Sequence, residues 1–168
     1  MKLFKTIKIS KKQFILIAAL ITVPLLINGQ PEHPPRPVAI SVSVLQNLNF
    51  GTFYHYNTGG TVVVSPTGSR SSTGDVVLFN GTVYAGLFTV TGNIGTVVSF
   101  IIPDAFIFSG ANSIRLSDFV TDPLIVVLPN TSNPASKDVT VGATLNVGES
   151  FNPAGNYSGT FSITVIQE

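Results

Sequence analysis

Two histidines, His33 and His55, and eight carboxylates scattered from Glu32 to Glu168 are the side chains best suited to acid–base or metal chemistry in this cysteine-free chain of 168 residues. The histidines are not in an H-x-x-x-H spacing, so zinc capture has no local basis. Asp104, Asp118 and Asp122 are oxygen donors of the kind Ca²⁺ prefers, but they lack the D-x-D-x-D-G loop that would bring them together. Serines are plentiful, yet none lies in G-x-S-x-G, and a triad would have to recruit an isolated histidine. The carboxylates form no recognisable glycosidase pair. No enzymatic activity, cofactor or metal site is therefore expected. What remains is recognition: Tyr54, His55 and Tyr56 form a run that could face a ligand, presenting aromatic surface to a sugar or a protein. The competing reading makes His55 an ordinary half-exposed residue at a strand end.

Charge narrows the partners further. Lys2, Lys5, Lys8, Lys11 and Lys12 lie in the first dozen positions, and from Gln30 onward only Arg36, Arg70, Arg115 and Lys137 face the eight acidic residues. The remainder is acidic, without a basic patch to neutralise phosphates, so neither nucleic acid nor an anionic lipid surface is an expected partner. Charged residues make up 10% of the chain, against the roughly 25% usual for a globular domain. The abundance of Gly, Thr, Ser, Asn and Val favours sheet and turn over helix.

Residues 1–29 read as a signal peptide: a Lys-rich start, the apolar run Phe14 to Ile27, and small Asn28-Gly29 near the expected cut. That run, with Pro24 inside it, falls short of the ~20 residues that span a bilayer, so no stable membrane span is expected after cleavage. The chain is expected to be exported to the periplasm, cell surface or extracellular space. Residues 30–37, with Pro31, Pro34, Pro35 and Pro37, form an extended Pro-rich spacer. A single β domain then occupies 38–168, long enough to bury a core without disulfides.

Its strands follow from period-2 alternation. Val38, Ile40, Val42, Val44, Leu48 and Phe50 share one parity and predict a long first strand. Gly59-Gly60 predicts a turn, and Thr67 to Gly74, small and polar around Arg70, predicts a mobile surface loop. Asn80-Gly81 predicts a hairpin. Further strands are expected at Thr82 to Thr91, Thr96 to Ile102, Phe106 to Phe108, Ser113 to Phe119 and Leu124 to Leu128, with Thr121-Asp122-Pro123 as a break and Pro129 to Ser136 as loop. Val139 to Val147 and the closing strand Tyr157 to Ile166 read as a terminal hairpin or as neighbouring strands. In the closing strand Tyr157, Phe161, Ile163 and Val165 share one face. The predicted fold is all-β, an antiparallel β-sandwich of about nine or ten strands.

Leu48-Asn49-Phe50-Gly51-Thr52-Phe53, Phe88-Thr89-Val90-Thr91-Gly92, Val141 to Gly148 and Pro153 to Phe161 occur in an order that resembles the domain-of-unknown-function 4402 family of secreted proteins from Gram-negative bacteria. That family is in turn similar to the spore-coat-U and archaic chaperone-usher pilin domains. The resemblance implies an immunoglobulin-like sandwich and a non-enzymatic structural subunit of a fimbrium, assembling with other copies or other surface subunits by β-strand complementation. Gln30 to Pro37 is too short and Pro-rich to be a donated strand, so either Val38 to Leu48 is itself the donor or the chain does not polymerise that way. The expected assembly residues are Ile40, Val42, Val44, Phe161, Ile163 and Val165. The alternative is a monomeric surface adhesin, binding a glycan or host protein through Tyr54, His55 and Tyr56 or through the loops at 67–74 and 129–136.

Overall fold

The computed structural model describes residues 38–148 and 152–168. The sequence-predicted signal peptide and Pro-rich spacer, with His33, lie outside them. Ten strands and no helix are found among the described residues, all pairing antiparallel in two sheets.

The organising strand is β9, Ala135–Val147, in which Ala135, Val139, Val141, Ala143, Leu145 and Val147 are all buried. One edge of β9 carries two strands end to end. Residues 135–141 pair with β4, Gly86–Gly92, and residues 143–147 pair with the far half of β2, Phe53–Val64. The other edge takes β7, Asn112–Asp122. Outward from these lie β1, Ser41–Gln46, on β4; β3, Arg70–Leu78, on β2; and β6, Ala105–Ser109, on β7. The second sheet has the order β10 (Thr164–Gln167), β5 (Val97–Ile101), β8 (Ile125–Val127).

Two apolar clusters result. Phe50, Val62, Val64, Ile114, Leu116, Leu145 and Val147 form the first, within the large sheet. Phe88, Val90, Val139 and Val141 meet Val98 and Val126 of the small sheet in the second. Phe119 belongs to both, and a bulge explains how. Pairing of β7 with β9 slips between Ser117 and Val120, with Asp118 at φ 48°. Inward parity thereby passes from Ile114 and Leu116 to Phe119 and Thr121, leaving Val120 exposed.

Several local expectations are corrected by this pairing. Gly59-Gly60 is not a turn; it lies inside β2, where register slips and the backbones of Val147, Gly148, Thr73 and Gly74 come too close for any Cβ. Glycine signals a bulge as readily as a turn. Of the loop expected at 67–74 only the connection 65–69 is found, because the Ser/Thr run from Arg70 is an edge strand that needs no apolar residue on its outer face. Asn80-Gly81 makes no hairpin: β3 pairs with β2, and β4 with β1 and β9. The strand read as ending before Thr121 runs on to Asp122, and Ala135 already belongs to β9. Nor do the last two strands pair with each other, since β10 joins β5.

Arg70 is a staple. Its Nη1 donates to the carbonyls of Phe50 (2.9 Å) and Thr52 (3.1 Å), and its Nη2 donates to that of Phe79. It thus ties the chain entering β2 to the chain leaving β3. Arg70→Ala should cost about 2 kcal/mol, the usual scale for hydrogen bonds to a charged donor. Arg70→Lys should recover less than half, since an ammonium lacks the planar fork. A lower urea midpoint at unchanged slope is the expected readout.

Candidate functional site

An open groove of about 1270 Å³ runs between β1 and the segment 152–163. One wall is Val42, Val44, Leu48 and Phe50; the other is Tyr157, Phe161 and Ile163; the floor is Ile114, Leu116, Leu145 and Val147. The floor residues are 1–3% exposed and belong to the central strands β7 and β9. The groove therefore lies over the first core, whose side chains are themselves covered.

One wall ends in a free strand edge, and the other is an irregular segment that makes a single β-bridge. β1 bonds to β4 on one side, and every residue of it is exposed; Val42 is 40% and Val44 68% open to solvent. The segment after Asn152 bonds to β6 through Ser158 and Phe108, N–H to O at 3.0 and 2.8 Å, before Thr164 joins β5. Neither wall has a strand partner on its groove side among the described residues. Their relative direction follows from the pairings. β1 and β9 are both antiparallel to β4, β6 and β9 are both antiparallel to β7, and Ser158 is antiparallel to β6. β1 and the closing segment are thus antiparallel to each other, and a strand placed between them would be antiparallel to one and parallel to the other. At 3.3 Å per residue, the wall from Val42 to Phe50 would take an extended segment of about nine residues.

One end of the closing segment is held firmly. Asn152 accepts at its Oδ1 from Gly148 N–H (2.8 Å), its Nδ2 donates to Ser113 O (3.0 Å), and its carbonyl faces His55 Nε2 at 3.2 Å. His55 Nδ1 lies 2.9 Å from Tyr56 O. Tyr157 donates its hydroxyl to Pro153 O (2.9 Å), which keeps its ring against the first core.

The expected site residues thus divide. Val42, Val44, Phe161 and Ile163 all line the groove, but Phe161 and Ile163 also pack against the second core, as do Ile40 and Val165, which lie outside the groove. Tyr54 and His55 reach the groove's end, but Tyr56 lies outside it. Tyr54 and Tyr56, about half exposed, stand edge to face at 4.9 Å on the outer surface. Leu48, Phe50, Leu116, Leu145 and Val147 were not legible as site residues, although their alternation marked them as apolar and inward. The three aspartates do not converge: Asp104 pairs with Arg115 (3.1 Å), Asp118 accepts from Ser117 Oγ, and Asp122 gives only its carbonyl to Thr140. No group of three His, Asp or Glu side chains comes together among the described residues. No helix among them is long and apolar enough to cross a membrane.

These features define an all-β protein of two antiparallel sheets with an apolar groove beside the unpaired edge of β1. The family model described as "Domain of unknown function (DUF4402)" matches residues 40–166, and the chain belongs to that family. No curated protein and no solved structure matches it.

Proposed function

We propose that this chain is an exported, non-enzymatic structural subunit with an immunoglobulin-like sandwich fold, related to the archaic chaperone-usher pilins, and that its groove receives an extended strand from a neighbouring subunit. The observation that carries this reading is the coincidence of the unpaired edge of β1 with an apolar trough and, across it, the main chain of the segment 152–163, which has no strand partner on the groove side among the described residues. An inserted strand would satisfy both rows of main-chain groups and seat alternate side chains on Leu116 and Leu145. A compact ligand would use only part of a trough this long and would leave the main chain of both walls unbonded. Within this chain β1 bonds to its own β4, so it acts as a wall of the acceptor.

The test is the size of the protein purified from its native envelope, run on denaturing gels with and without boiling. A ladder that collapses on boiling is expected. Val42→Asp with Val44→Asp should remove the ladder and leave a folded monomer, since both side chains are already solvent-exposed and only the groove is altered. Ile40, also suggested by the sequence, is the poorer choice because it packs on the second core. Unboiled wild type running as monomer, or a ladder that survives the double substitution, would overturn the proposal.

A second reading, an adhesin that binds glycans, is favoured by the half-exposed Tyr54–Tyr56 pair. Rings standing clear of the surface can stack on a sugar face. Tyr54→Ala should then abolish binding on a glycan array while leaving the far-ultraviolet circular dichroism unchanged.

A further inference from the structure

The Asn80-Gly81 pair, which makes no hairpin, stands in the connection between β3 and β4, where Phe79, Asn80, Gly81 and Thr82 are all exposed. That connection is anchored at both ends. Phe79 N–H donates to Thr52 O (3.0 Å) and the Phe79 carbonyl accepts from Arg70 Nη2, while Asn49 and Tyr84 exchange N–H to O bonds of 2.9 and 3.0 Å. Between the anchors, neither the Asn80 side chain nor Gly81 N–H has a hydrogen-bond partner among the described residues. Every other described asparagine is followed by a residue that carries a side chain, and Asn112 and Asn146 lie in paired strands.

This arrangement suits one reaction. A main-chain amide nitrogen attacks the side-chain carbonyl carbon of the asparagine before it when the amide is free and nothing on its own residue crowds it. A ladder hydrogen bond on the N–H and a Cβ beside it are the usual obstacles. At Gly81 both are missing. We propose that Asn80-Gly81 is a site of spontaneous, age-dependent modification in the folded protein. Gly81 N gives its proton to hydroxide and bonds to Asn80 Cγ; the Cγ–Nδ2 bond breaks, and the side-chain amide leaves as ammonia, closing a succinimide ring. Water then opens the ring at either of its carbonyls, leaving an aspartyl or an isoaspartyl linkage at position 80. One water is consumed and one ammonia released, and nothing is oxidised or reduced. The isoaspartyl product lengthens the main chain by a methylene, which residues 80–83 absorb because both anchors lie outside them. Either product places a carboxylate one residue beyond the carbonyl that Arg70 holds, and Arg70 has no carboxylate partner among the described residues. The new charge therefore arises beside a cation, which favours it. A surface that exposes Phe79 and Tyr84 thereby becomes more acidic with age.

The experiment ages the purified, folded protein at mildly alkaline pH and follows its proteolytic peptides by mass spectrometry, with isoaspartate methyltransferase labelling to separate the two linkages. Position 80 should convert before any other described asparagine, and faster as the pH rises. Gly81→Ala is the first control. A Cβ there comes no closer than 3.5 Å to Thr52, and Gly81 has no positive φ, so the variant should fold with an unchanged urea midpoint. It should nevertheless convert about tenfold more slowly, because the methyl group crowds the attacking nitrogen and narrows its backbone conformations. Asn80→Gln is the second control and should stay unconverted over the same period, since its longer side chain would have to close a larger ring. An intact Asn80 in folded protein while a urea-unfolded sample converts would overturn the proposal. So would earlier conversion at another described asparagine, or an equal rate in Gly81→Ala.

Discussion

A methyl group at Gly142 is expected to destabilise the protein by about 3 kcal/mol or more, a large effect for a Gly→Ala change. Gly142 sits where β9 passes from β4 to β2 along one edge: Val141 pairs with Gly86, and Ala143 with Val64. A Cβ there would overlap the Val64 carbonyl oxygen and lie 2.7 Å from both Ser65 C and Pro66 N. These are backbone atoms, so no rotamer change can make room. The end of β2 would have to move away from β9 and give up the Val64–Ala143 register on which Val62 and Val64 depend for burial. Backbone conformation contributes nothing to this expectation, since Gly142 is not among the glycines with positive φ. Gly68→Ala is the matched control, with φ 82° but open space around it. It should cost only the ~1 kcal/mol scale of a single strained residue. A fall in midpoint of about 10 °C or more, or loss of soluble protein, is expected for Gly142→Ala alone. A loss below 1 kcal/mol would mean that the two strands do not meet at this residue.

That handover was invisible in the sequence, and the reason is general. Alternation along Val139 to Val147 marks the inward side of β9 correctly, but it does not say which strand lies at each edge or where one replaces another. The same gap explains the Ser/Thr run that became β3. Thr61 and Thr73, which share a hydroxyl contact of 2.7 Å, face each other on an exposed surface where polar residues pair as well as apolar ones. Nothing in its composition separates such an edge strand from a loop. Part of each groove wall was legible because Val42 and Val44, and Phe161 and Ile163, alternate in the sequence near the chain ends, although only the first pair lies in a strand. The floor was not, since Leu116 and Leu145 carry the pattern of any core strand, and a pattern records which side is apolar without recording whether anything covers it.

Leu145→Ala tests the floor, and the second large effect is expected here. Leu145 is 1% exposed, lies between Val62 of β2 and Leu116 of β7 in the pairing, and also lines the groove. Truncation of a buried leucine costs about 2–5 kcal/mol, the range reflecting how far the surroundings can collapse. Collapse is restricted because Val62 and Leu116 are fixed by their own ladders, yet the space left would open into the groove rather than remain sealed. A loss of about 3 kcal/mol in the isolated protein is therefore expected, measured by urea unfolding. The proposed strand acceptor predicts more than this. An occupant that binds only the folded chain adds stability in proportion to the logarithm of its concentration over its dissociation constant. Its side chain over position 145 would lose packing partners in the variant. The assembled form of Leu145→Ala should thus fall further below assembled wild type than the isolated variant falls below isolated wild type. Equal losses in the two states would place the bound strand elsewhere than over Leu145, whereas a larger loss on assembly would fix that leucine beneath it.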